Sequence, residues 1–174
     1  DNSVNLSKIN SMFSKIYAED RYEGDRIKLI DCVKKALELS SHMFETQKIS
    51  YDLAVDDSIG VKALQSDMIE VLLAILINVG DIARRRQVVE PHIKIVGKKE
   101  GEFALLEISD NCGGVDEEIL PKIFDPYVTT EFKSYSKGLG LFIVKNIVEL
   151  RLGGFIEVHN KNGGAEFLIR LAHD

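Results

Sequence analysis

Leu6, Ile9, Phe13 and Ile16 recur at three, four and three residues, the a/d spacing of a heptad seam, with Met12 beside it. A helix this short is marginal in water by itself. The seam therefore predicts residues 1–20 as the end of a longer helix; the plainer alternative is a helix docked on its own domain. Ala18 to Gly24 is polar and predicts a linker. A short strand, Arg26 to Ile30, then meets Asp31, a good N-cap for a helix running to about Thr46. Ile49 to Val55 reads as a strand. From Ser66 to about Arg86 runs a strongly apolar helix with a basic end that suits its dipole, and Glu90-Pro91 terminates it. His92 to Val96 and Glu102 to Ser109 predict strands joined by a turn at Lys98 to Gly101. A small helix is expected over Asp116 to Phe124 and another from Gly138 to about Arg151. Phe155 to His159 and Glu166 to Leu171 close the chain as a hairpin around Asn162-Gly163-Gly164. The mixture predicts an α/β (α+β) two-layer sandwich, with helices on one face of a mixed, largely antiparallel sheet.

Composition narrows the class. With 174 residues, 45% of them hydrophobic and 29% charged, the chain can bury a full core. A formal net charge of -6 argues against a nucleic-acid surface. No apolar run approaches the roughly 20 residues of a membrane span, and the polar N-terminus lacks a signal-peptide core. Cys32 and Cys112 are far apart and outside any C-x-x-C pattern, which suggests neither a disulfide scaffold nor zinc. A cytoplasmic location is the expectation.

The chemistry concentrates in two glycine clusters. Asp110-Asn111-Cys112-Gly113-Gly114-Val115 follows a strand, and Gly138-Leu139-Gly140-Leu141 opens a helix. Glycine lets backbone N–H groups approach a ligand, and a helix N-terminus favours phosphate. Period 2 sets Asp110 on the same face as Ala104, Leu106 and Ile108. An acid there is costly unless donors satisfy it, either a ligand's amino group or nearby backbone N–H groups. In Val71-Leu72-Leu73-Ala74-Ile75-Leu76-Ile77-Asn78-Val79 one amide interrupts an apolar run. Asn78 shares a helix face with Ala74, Ile82 and Arg85. Alone it reads as a core amide with a hydrogen-bond partner; beside two glycine clusters, a magnesium ligand is the better reading.

Asn78, the Asp110 to Gly114 run, Phe124-Asp125-Pro126-Tyr127 with Thr129-Thr130, and Gly138-Leu139-Gly140-Leu141 resemble the N, G1, F and G2 boxes of sensor histidine kinases, in the same order. The tail Gly153 to Phe167 looks like that family's last strands. The resemblance covers residues 25–174 and implies the family's ATP-binding catalytic domain, of the Bergerat fold shared with gyrase-type and Hsp90-type ATPases. It implies ATP and magnesium as cofactors. Asp110 would bond the adenine amino group and Asn78 would hold the metal, with Asp81, Ile82 and Arg85 beside it on the helix. Cys112, Gly114, Val115, Gly138 and Gly140 would pass close to base and phosphates, with Leu139 and Leu141 framing the turn. Phe124 and Tyr127 would anchor a lid, Asp125 to Lys137, that carries Thr129, Thr130 and two candidate phosphate contacts, Lys133 and Lys137. The implied partners are a histidine-bearing dimerisation domain, in a homodimeric parent that a membrane anchor could hold, and a response regulator.

Departures from that pattern matter. Ala74 stands where the family usually has a second asparagine, Ser136 where G2 begins with glycine, and Cys112 where G1 has glycine or alanine. Positioning and charge carry phosphoryl transfer, so a lost polar group near the metal predicts slower turnover with adenine binding spared. Cys112 reads as a small buried substitute or as a redox-sensitive thiol. None of His42, His92, His159 or His173 fits a phosphoacceptor on a helix followed by an acid, so the chain supplies nucleotide and metal positioning only. A nucleotide-binding relay module and a stand-alone ATPase or serine kinase of the same fold are the alternatives. A gyrase-like activity would need a glutamate where Ala74 sits.

Overall fold

A computed structural model describes residues 24–128 and 140–173. β1 (Arg26–Lys28) runs directly into α1 (Leu29–Leu39), which buries Leu29, Cys32, Val33, Ala36 and Leu37 along one side. This helix starts two residues before the expected cap. Its N-cap is Lys28, without a side-chain bond, and the Leu29 N–H donates instead to the Ile59 carbonyl at 3.0 Å. The partner comes from the neighbourhood of β3 (Gly60–Lys62), a strand without a signal of its own that pairs antiparallel with β1. Asp31 falls in the first turn, where its charge still suits the helix dipole.

The single helix expected to reach Thr46 is two. Ser40 interrupts it, its hydroxyl donating to the Ala36 carbonyl at 2.8 Å, and α2 (Ser41–Gln47) follows. Such back-bonding competes with regular helix propagation. α2 ends at Lys48 in the left-handed region (φ 54°), which turns the chain into β2 (Ser50–Val55). α3 (Gln65–Arg85) is the longest helix among the described residues; Met68, Val71, Leu72, Ile75, Leu76, Val79 and Ala83 form its buried stripe.

β2, β4 (His92–Glu100), β5 (Phe103–Asp110), β7 (Gly164–Ala172) and β6 (Phe155–Lys161) form one sheet in that spatial order. β2 pairs with β4 in parallel and every other pair is antiparallel, so the sheet is mixed and largely antiparallel as expected. Ile93, Ile95, Leu106, Ile108, Phe167 and Ile169 alternate onto the face that the helices cover, and all are 1% exposed or less. The other face carries cross-strand ion pairs such as Lys98–Glu107 at 3.5 Å and Arg170–Glu157 at 3.6 Å.

The helix expected over Asp116 to Phe124 is only a 3-10 turn, Leu120–Lys122. Pro121 has no N–H to give a longer ladder, and Asp116 Oδ1 takes the Glu118 N–H at 3.0 Å. α4 (Gly140–Asn146) continues into a π-helical turn, Ile147–Arg151. The expected start of α4 at Gly138, the stub at 1–20, and the lid residues from Thr129 to Leu139 lie outside the described residues.

Candidate functional site

A cavity of about 290 Å³ opens between α3, the ends of β5 and β7, the segment after the glycine loop, and the first residues of α4. The helical face singled out in the sequence lines one wall: Ala74, Asn78, Asp81, Ile82 and Arg85 all border it, as does the unanticipated Ile77. Asn78 is half-buried at that wall rather than sealed in the core. The demand for a protein partner that a sealed amide would impose is therefore relaxed.

Asp110 stands at the far end of β5 with its carboxylate toward the cavity. Its Oδ1 accepts the N–H of Cys112 at 2.9 Å and, more weakly, that of Ala165 at 3.4 Å. Burial pushes its carboxyl above the ordinary 3.8, and the two N–H groups and the charge of Arg86 oppose that push without cancelling it. Backbone donors thus serve one oxygen of the acid, as the turn-acid reading expects. Ala165 and Phe167 of β7 and Ile119, Ile123 and Val128 after the loop complete an apolar lining. The lining suits a mostly apolar group with a polar edge.

Gly114, Val115, Gly140 and Leu141 border the cavity. Cys112 does not. Its side chain is 2% exposed and turned into the core, and burial, reinforced by the Asp110 charge, pushes its thiol up to about 11. A thiol so buried packs as the small substitute the sequence suggested. Phe124 packs on the core beneath the Lys145 ammonium, 5.6 Å from the ring centre, whereas Tyr127 is 62% exposed with φ 63°. Neither lines the cavity; Phe124 packs against the core and Tyr127 does not. Thr129, Thr130, Lys133, Lys137, Gly138 and Leu139 lie outside the described residues.

The sequence reading missed Arg86 and Asn160. Arg86 Nη1 donates to the carbonyls of Cys112 and Gly114, and Asn160 bonds both backbone groups of Val115. Neither lies in a glycine cluster, and only the packing of α3 and β6 against the loop brings them there. Three of the four histidines are engaged elsewhere: His92 with Ser50 and Asp52, His159 with Glu157, His173 with the Gly101 carbonyl.

The donor set fits an adenine nucleotide with magnesium. One carboxylate in an apolar cavity matches a base's amino group, and Asn78, one helical turn along α3 from Ala74, offers a neutral oxygen of the kind magnesium accepts alongside waters and phosphates. Among the described residues no cluster of three metal-ligating acids, histidines or cysteines exists, and magnesium held largely by phosphate and water does not require one.

Known proteins resemble this chain in sequence and in fold. A family model described as histidine kinase-, DNA gyrase B-, and HSP90-like ATPase matches residues 64–174. The sensor protein KdpD of Clostridium acetobutylicum is 33% identical over 96% of this chain, which spans 18% of that protein's length. The sensor histidine kinase ZraS of Salmonella typhimurium is 30% identical over 83% of this chain, corresponding to 30% of that protein. The catalytic domain of the histidine kinase ThkA has a TM-score of 0.72 at 22% identity, covering 87% of this chain and 96% of that one. Full-length ShkA, solved in complex with AMPPNP, has a TM-score of 0.75 at 20% identity, covering 97% of this chain and 35% of that one. The two structures agree in fold: an open mixed sheet with helices on one face. Because the matched family model takes in the cavity wall, the Asp110 loop and the closing hairpin, the chain belongs to the histidine kinase-, DNA gyrase B- and HSP90-like ATPase family.

Proposed function

We propose that this chain is the ATP-binding module of a two-component sensor histidine kinase, donating the γ-phosphoryl of ATP to a histidine on a separate dimerisation domain. The observation that carries the reading is Asp110, a carboxylate set into an apolar cavity with one oxygen held by backbone N–H groups. That geometry favours a base presenting an amino group over one presenting a carbonyl. Asn78 and the cavity-facing Asp81 border the side where phosphates and magnesium would lie. The metal's contribution there is to neutralise phosphate charge. The protein's own share is binding and orientation: Asp110 fixes the base, and α3 presents Asn78.

The heptad spacing of Leu6, Ile9, Phe13 and Ile16 supports residues 1–20 as the end of a dimerisation helix. The parent would then be a homodimer that passes its phosphoryl group on to a response regulator in the cytoplasm. A second reading, a module that binds nucleotide and relays conformation without efficient transfer, is favoured by Ala74, a methyl at the cavity wall one turn from Asn78.

Calorimetry with ADP and GDP tests the first step. ADP should bind in the micromolar range, roughly -8 kcal/mol, and GDP far more weakly. Supplying a histidine-bearing dimerisation domain in trans with labelled ATP then separates the two readings. Transfer supports the kinase; tight binding without transfer supports the relay module.

A further inference from the structure

The loop from Cys112 to Val115 is gripped from both sides by side chains outside the glycine clusters. On the α3 side, Arg86 Nη1 donates to the Cys112 carbonyl at 2.7 Å and to the Gly114 carbonyl at 2.8 Å. An Nη carries two N–H bonds, so both are committed to this loop. On the sheet side, the Asn160 amide clasps Val115 at two points: Oδ1 accepts its N–H at 2.7 Å, and Nδ2 donates to its carbonyl at 2.7 Å. The Gly113 N–H donates to the Gly163 carbonyl at 2.8 Å, which ties the loop to the β6–β7 turn as well.

The two glycines are shaped to these grips. Both lie in the left-handed region, Gly113 at φ 98° and Gly114 at φ 74°. A Cβ on Gly113 would stand 2.8 Å from Arg86 Nη1, and one on Gly114 would stand 2.7 Å from Asn160 Oδ1. Here the missing side chains admit the protein's own clamps. A loop otherwise solvated would sample many shapes and would be ordered only on binding, at a cost in affinity.

We infer that Arg86 and Asn160 are positioning residues that hold the Cys112–Val115 loop in its adenine-accepting shape before nucleotide arrives. The inference rests on the nucleotide-binding reading above. Asn160 does not border the cavity and acts only through Val115, while Arg86 borders it and could in principle meet a phosphate directly. The base side and the phosphate side therefore have to be read separately, with adenosine and with ADP.

The test is calorimetry of the full 174-residue chain and of Arg86→Met, Arg86→Lys, Asn160→Ala and the Arg86→Met/Asn160→Ala pair, each titrated with adenosine and with ADP. Each single loss of the clamp should weaken adenosine and ADP by the same factor, about five- to tenfold. Arg86→Lys, which keeps a cationic donor, should recover part of the loss. The pair should lose less than the product of the singles, because both grips act on one loop. Leu53→Ala, in the distant edge strand, should lower stability and leave both affinities unchanged, which separates positioning from general destabilisation. Unchanged adenosine binding in Asn160→Ala overturns the inference. Loss of ADP affinity alone in Arg86→Met makes Arg86 a direct phosphate contact and overturns its positioning role. If Arg86→Met does not fold, Asn160→Ala decides alone, since its side chain is exposed and outside the cavity. A parent chain that binds neither ligand overturns the nucleotide reading itself, a result distinct from failure of the clamp.

Discussion

Arg151 and Asp67 meet at 2.7 Å, with only 14% and 13% of their side chains exposed. The bond joins the π-helical turn after α4 to the first turn of α3, the helix that carries Asn78. It therefore fixes two walls of the cavity relative to one another. Arg151→Met should strand the carboxylate and lower stability by about 2–3 kcal/mol, somewhat less than a fully buried pair because the α3 dipole partly compensates the acid. The double variant Arg151→Met/Asp67→Leu should be more stable than Arg151→Met alone. Thermal melts of the three proteins check this; an Arg151→Met melt equal to the parent's would reduce the pair to a surface contact.

Asp110→Asn should separate binding from stability. The amide oxygen can keep the two backbone N–H groups, and the burial penalty on a charge disappears, so the ligand-free variant should melt at the parent's temperature or higher. Adenosine affinity should fall at least about tenfold, because the amide turns a donor toward the base's amino group.

The pH dependence follows from the same acid. The carboxyl is raised in the folded state relative to 3.8, so its cost to folding is absent below that pH and is fully present once pH has passed the folded value. The melting-temperature gap between Asp110→Asn and the parent should close in acid. Adenosine affinity of the parent should fall on acidification at a pH above 3.8, since only the ionised form offers two acceptors. Melts and titrations across pH 3.5–7 check both; affinity that is flat through this range would count against a carboxylate contact with the base.

Asn78→Ala should abolish the magnesium dependence of ATP binding and leave adenosine binding intact. Because the side chain is half-buried at a cavity wall, stability should change by about 1 kcal/mol or less. A large loss of stability with unchanged magnesium dependence would return Asn78 to the role of a structural amide. Ala74→Asn, one turn away on the same face, should raise phosphotransfer to a supplied histidine domain if the alanine limits turnover.

The β6–β7 turn offers a contrast between neighbouring glycines. A Cβ on Gly164 would collide with the Asp110 backbone carbonyl, whereas one on Gly163 would meet nothing within 4 Å and pay only for its φ of 75°. Gly163→Ala should cost about 1 kcal/mol. Gly164→Ala should cost clearly more and weaken adenosine binding, because it displaces Asp110. Equal melts and equal affinities for the two variants would show that the hairpin does not set the acid's position.

Much of this protein was legible in the sequence. Period-2 alternation placed Asp110 on the covered face of β5, and the 3.6-residue period put Asn78, Ile82 and Arg85 on one face of α3; both patterns depend only on local backbone geometry. The glycine clusters, read with the Asn78 helix, pointed to the family. What the sequence left undetermined depended on partners distant along the chain. The start of α1 was set by the Ile59 carbonyl rather than by Asp31, and β3 exists because β1 lies beside it. Cys112 turned inward, although it lies in the glycine cluster, because the clamped backbone aims its side chain at the core. Arg86 and Asn160 reach the loop from 26 and 45 residues away. Local periodicity carries no record of such distances; only the packing of α3 and β6 around the loop sets them.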